Sequence, residues 1–221
     1  LGLKSTGTTT LISSPYPAQY LVPPDSSLEL TWTEADFDDS SWNSGYSGIG
    51  YETSPENYYN LINATVPVHI PTFYSRFHFL VENSSEITHL IVRVRYDDAF
   101  VAYLNGAEVA RSEYAPDPAL WNSPALSCPL DSSAFVEYDI SAHIPQLRSD
   151  SDNVLAIHTL NCNYTTSTDM LILPELAATL QTEYDTDVPM FFAGPTPGVK
   201  NSGGTPYIVA PHFSRSCCLF T

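Results

Sequence analysis

Basic residues are scarce in this chain. Lys and Arg number 8 against 25 Asp and Glu, and the formal net charge is −17. Eight scattered cations do not neutralise a phosphate track, which argues against nucleic acid as a partner. The same shortage argues against docking on anionic lipid. No run approaches eighteen consecutive apolar residues, so no membrane insertion by a helix is expected. Charged residues are 15% of the chain, below the usual quarter. Its polarity therefore rests mainly on Ser, Thr, Asn and Tyr, a style that suits a secreted or cell-surface β protein.

Catalytic and metal signatures are also missing. Gly45-Tyr-Ser-Gly-Ile49 breaks the nucleophile elbow at its last position. There is no phosphate-cradling loop and no His-Glu-x-x-His pair. The six histidines are scattered, and His78 and His158 fall inside strand patterns, where a hydrogen-bonded structural role is expected. Asp38-Asp39 and Asp97-Asp98 are adjacent pairs, whereas glycosidase carboxylates come from separate strands. The chain is therefore not expected to be an enzyme. Without a Cys-x-x-Cys pair a zinc site is not expected. Cys128 and Cys162 are candidates to pair in an oxidising compartment, while Cys217 and Cys218 are neighbours, which bridge only under strain. Three glycosylation sequons stand at Asn63, Asn83 and Asn163.

What is present is strand. Eighteen prolines and ten glycines punctuate the 221 residues and leave little room for helices. Apolar residues make up 43% and aromatics 12%, enough for a substantial core. Alternating patterns run over Thr72–Val81 and His89–Tyr96, the latter with Leu90, Val92 and Val94 on one face and Ile91, Arg93 and Arg95 on the other. Three antiparallel strands are expected near 89–96, 100–104 and 107–111, with Asn105-Gly106 at a tight turn that requires positive φ twice. Further strands are expected at Ala134–Ile140, Asn153–Leu160 and Met170–Gln181. Many short strands between turn signals predict an all-β, antiparallel β-sandwich of the jelly-roll kind. Phe37, Trp42, Phe77, Phe79, Val92, Val94, Val101, Leu104, Val154, Ala156 and Leu171 are its predicted core.

The ends read differently. Residues 1–14 are expected to be a linker or frayed N-terminal segment, 15–182 the sandwich, 183–205 a Pro/Gly-rich linker, and 206–221 the truncated start of a following domain. The opening Leu1-Gly2-Leu3 reads as a processed, trimmed or excised chain.

Two loop features invite a functional reading. Trp121 and Asn122 lie in a proline-flanked segment, and Tyr58 and Tyr59 lie in another loop. Sugars stack on exposed aromatic faces while neighbouring polar groups take their hydroxyls, so these four are the candidate ligand-binding residues. The competing reading for Trp121 is that it lids the core. Asp97 and Asp98 read either as a tight turn whose carboxylates accept backbone N–H groups or as a calcium site.

The order Trp32, Phe37-Asp-Asp-Ser-Ser-Trp42, Gly45 and Gly48-Ile-Gly-Tyr51 resembles the start of a galactose-binding-like jelly-roll domain of large secreted bacterial proteins. Tyr74-Ser-Arg-Phe-His-Phe79, Arg95–Arg111, Asn153–His158 and Thr168–Leu176 continue the resemblance, which covers roughly residues 15–181. It departs at Ala99, where such domains usually carry glycine. Val209–Ser214 resembles the first strand of a chitobiase-type immunoglobulin-like domain. The resemblance implies a non-catalytic module in a multidomain bacterial protein, with neighbouring domains and a polysaccharide or glycan as partners and at most a structural calcium ion as cofactor. The alternative is a structural spacer or interaction domain without a small ligand.

Overall fold

The structure, a computed structural model, describes residues 3–54, 58–129, 134–184, 190–191 and 205–206. Two compact units divide the chain: residues 7–180, and residues 1–6 together with 181–221.

The larger unit is the expected all-β sandwich. In chain order its strands are β1 (Leu3–Ile12), β2 (Pro17–Leu21), β3 (Asn43–Tyr46), β4 (Ile49–Glu52), β5 (Ala64–Thr65), β6 (Thr72–Val81), β7 (Ile87–Asp97), β8 (Ala99–Leu104), β9 (Ala107–Arg111), β10 (Val136–Asp139), β11 (Ser151–Leu160) and β12 (Asp169–Tyr184). β1 and β12 run on into the second unit. One sheet has the order β10-β7-β12-β4-β5, with β1 also pairing β12; the other runs β3-β2-β6-β11-β8-β9. All the registered pairs are antiparallel except β4 with β5. Helical structure among the described residues is limited to short 3-10 turns, such as Thr31–Thr33 and Ser141–Gln146.

The core between the sheets follows the period-2 rule. Phe73, Phe77 and Phe79 of β6 share one apolar cluster with Leu90, Val92 and Val94 of β7. All the predicted core residues are buried except Phe37, which is half-buried. They do not form one core, however. Val101, Val154, Ala156 and Trp42 belong to a second cluster built on the opposite face of β8 and β11, and Leu171 to a third, small one with Tyr58 and Leu173.

The Asn105-Gly106 hairpin forms as expected: β8 pairs β9, and the two turn residues have φ of 48° and 93°. The expected neighbour strand does not belong to it. β7 lies in the first sheet and β8 in the second, so Asp97-Asp98 is the corner at which the chain steps between sheets. Ala99 opens β8 without positive φ.

Residues 1–14 also depart from expectation. Most of that segment is β1, a strand that pairs β12 and sends Ile12 fully into the core. Its polar Thr/Ser composition suits a strand with an exposed face, because the ladder is made by backbone groups.

In the second unit, β13 (Met190–Phe191) and β14 (Thr205–Pro206) form a two-residue antiparallel ladder within and just beyond the expected linker. The remainder of the expected linker after 191 and the expected new domain, with Cys217 and Cys218, lie outside the described residues.

Candidate functional site

The second sheet is covered on both faces. Tyr74 and Arg76 of β6, His158 of β11 and Tyr103 of β8 project from its outer face, and two loops roof them. The first loop precedes β3 and carries Trp32 and Trp42; the second follows β9 and carries Trp121.

Arg76 anchors the first loop. It is fully buried, and its Nε donates to Asp39 Oδ2 at 2.6 Å. Its guanidinium also donates to the carbonyls of Trp32, Glu34 (2.9 Å) and Phe37 (3.3 Å). One cation thus satisfies four acceptors on a stretch of eight residues that has no ladder partner of its own. His78 stands between Asp39 (2.7 Å) and Asp152 (2.5 Å). Burial pushes the Asp39 carboxyl upward, but hydrogen bonds from His78 and Arg76 outweigh it and hold the group below the usual carboxylate range. Trp32 lies flat on Tyr74, with centroids 4.0 Å apart and planes 5° off parallel. His158 meets Tyr74 edge-on at 4.8 Å.

The second loop is tied to the end of β11. Ala125 N donates to Asn161 O at 3.1 Å, and Cys128 is disulfide-bonded to Cys162 with Cα atoms 5.4 Å apart. The sequence left that pairing open; the structure makes it.

A cleft of about 360 Å³ lies where the two loops meet over the sheet. Tyr74, Tyr103, His158 and Trp32 form its floor, and Pro118, Leu120 and Trp121 line it from the second loop. Trp121 is half-buried, and Leu120 is 56% exposed. Glu29, Glu108, Asp117 and Arg111 supply its charge. Arg111 is clamped by Glu108 through two hydrogen bonds of 2.8 and 2.7 Å, donates to the Pro116 carbonyl, and lies 3.8 Å from Asp117.

The floor is electrically quiet. Burial pushes His158 down to about 3, with Arg111 adding to the shift, so its imidazole is neutral at physiological pH. Burial raises the Tyr74 and Tyr103 phenols to about 12, aided by Tyr103 and by Glu108 respectively. Among the described residues, Trp32 Nε1 and His158 Nε2 have no hydrogen-bond partner in the protein.

The structure separates the sequence candidates. Trp121 lines the cleft, and Asn122 is exposed beside it. Tyr58 is not an exposed loop aromatic: it is fully buried in the small cluster with Leu171 and Leu173 of the first sheet, with Arg95 over its ring at 5.5 Å. Tyr59 is 66% exposed and borders a different hollow with Val66 and Val68. The tyrosine pair and Trp121 thus attach to different sheets and form no common platform.

Asp97 and Asp98 are buried at the inter-sheet corner. Asp98 accepts the Cys162 amide at 2.6 Å, a bond from the segment just after β11 and not from a local turn. Among the described residues, no group of three or more His, Cys, Asp or Glu side chains is placed to hold a metal ion. Sequence reasoning missed Tyr103, Glu108 and Arg111. The available signal was their register: Tyr103 lies opposite Glu108 across the Asn105-Gly106 hairpin, with Arg111 three residues further on.

No family model and no curated protein matches this chain. Among solved structures it is similar to a β-glucuronidase of Bacteroides uniformis, at 16% identity and a TM-score of 0.48, over 79% of this chain and 18% of that one. A glycosyl hydrolase family 2 member from Bacteroides cellulosilyticus gives 13% identity and a TM-score of 0.44 over 78% of this chain and 20% of that one. For a Lactobacillus rhamnosus β-glucuronidase the figures are 11% and 0.46, over 78% of this chain and 28% of that one. The chain therefore spans less than a third of the length of these proteins.

Proposed function

We propose that this sandwich is a non-catalytic, extracellular carbohydrate-binding-like module of a larger bacterial protein, and that it takes polysaccharide in the cleft over its second sheet. The observation that carries the reading is Trp121, half-buried at a cleft lined by other aromatics and by hydrogen-bonding side chains. Sugar C–H faces stack on such rings, and hydroxyls bond to carboxylates and guanidinium groups at the edge. A volume of about 360 Å³ falls within the range of small-molecule sites. The disulfide supports an oxidising, extracytoplasmic setting.

A second reading, a spacer that positions neighbouring domains, is favoured by the burial of Trp32 and Trp42, which leaves neither ring free for stacking. A polysaccharide and glycan array probed with the whole chain, with and without calcium, separates the two. Binding to a carbohydrate set supports the module, and dependence on calcium would direct attention to the Asp97-Asp98 corner. Silence across the array in both conditions overturns it in favour of the spacer.

A further inference from the structure

We infer that the cleft discriminates by charge: it accepts neutral or amine-bearing saccharides and rejects uronates and sulfated ones. This rests on the carbohydrate reading above and adds the ligand class.

Glu29, Glu108 and Asp117 set three carboxylates against a single guanidinium, that of Arg111. Uronate recognition typically uses a cation with free donors in a forked array. Here the fork is already occupied. Both Arg111 hydrogen bonds to Glu108 use the side of the guanidinium that carries Nε and Nη2, and Nη1 is engaged by the Pro116 carbonyl. Its charge is offset by Glu108 and, at 3.8 Å, by Asp117.

The other candidate cation is His158 on the floor. Its burial beneath Tyr74 and Trp32 holds it neutral over the physiological range, so it adds no positive field. An incoming carboxylate or sulfate therefore meets a lining whose three carboxylates outnumber its one guanidinium. An ammonium meets those carboxylates and the π faces of the aromatic lining, both of which attract a cation. A neutral ring meets no electrostatic barrier and retains the stacking surface of Trp121. The overall charge of −17 acts in the same direction at long range, reducing the encounter rate of polyanions at low salt.

The test uses the whole chain and matched oligosaccharide sets in isothermal titration: a neutral glycan, its uronic-acid counterpart, and an amino-sugar oligomer. The neutral and amine-bearing sets are expected to bind, the latter more weakly as salt rises, with the uronate at least about tenfold weaker than its neutral match. The double variant Glu108→Gln/Asp117→Asn is expected to improve uronate affinity by about fivefold, as two like charges a few Å away are removed and Arg111 is released. Asp117→Asn alone, at a side chain 86% exposed, gives a smaller gain in the same direction without disturbing the clamp. Uronate binding equal to the neutral match, lost in Trp121→Ala, overturns the charge rule and leaves the carbohydrate reading standing. Binding of no set overturns both.

Discussion

The two sheets bury their strands differently. β7 of the first sheet alternates, with Leu90, Val92 and Val94 inward and Arg93 and Arg95 outward. β8 is buried at all six positions, and β11 at eight consecutive ones. The difference lies in what covers the outer face. On the first sheet it is a small cluster around Tyr58 with surface ion pairs, such as Arg93 with Glu137 and Glu175. On the second it is a roof of two loops, held down by a buried arginine and a disulfide. A strand roofed on both sides reads as a continuous apolar run. The roof, unlike the bare face, also creates an edge where its loops meet, and the cleft lies at that edge.

Matched arginine substitutions give the largest contrast. Arg76→Met strands Asp39 and three loop carbonyls in a buried setting and should cost about 3–5 kcal/mol in chemical denaturation. Arg93→Met removes partly exposed ion pairs and should cost under ~1 kcal/mol. Equal losses would mean that the roof does not depend on its anchor. Replacing Cys128 and Cys162 by alanine opens a 34-residue separation and should cost about 4 kcal/mol. In hydrogen exchange, protection should fall at residues 112–128 well before it falls at β7.

His158 has a folded pKa of about 3 against an ordinary 6.5. Below about 6.5 the unfolded chain takes up a proton that the folded chain refuses until about 3. Stability from this group is therefore lost as pH falls through that window, by up to ~1.4 kcal/mol per pH unit, and is unaffected above it. His158→Gln should flatten the urea-midpoint profile between pH 6.5 and 4 relative to the parent. An unchanged slope would remove His158 from the account.

Much of the fold was legible, and the exceptions have physical reasons. Asn105-Gly106 was readable because its positive-φ demand is local. The Asp97-Asp98 corner was not, because strand–turn–strand looks the same whether the chain folds back in one sheet or steps to the next. Tyr58 and Tyr59 were indistinguishable as loop aromatics, yet one is fully buried and the other 66% exposed. β1 hid behind its threonines, since its ladder is backbone and, among its described side chains, only Ile12 is fully buried. Of the cleft, Trp121 was readable as a loop aromatic. Tyr103, Glu108 and Arg111 are strand residues, and it takes the two loops meeting over them to turn their positions into a site.

The central claim is that carbohydrate meets the roofed sheet and not the open one. The most direct measurement is affinity electrophoresis or titration against a polysaccharide retained by the whole chain, comparing Trp121→Ala with Tyr59→Ala. Both residues are partly or largely exposed, so each variant should keep the parent's melting temperature within a few degrees. Trp121→Ala should weaken binding at least tenfold, the usual cost of losing an aromatic anchor, while Tyr59→Ala leaves it unchanged. Loss of binding in Tyr59→Ala with Trp121→Ala intact would place the ligand on the first sheet and contradict the account.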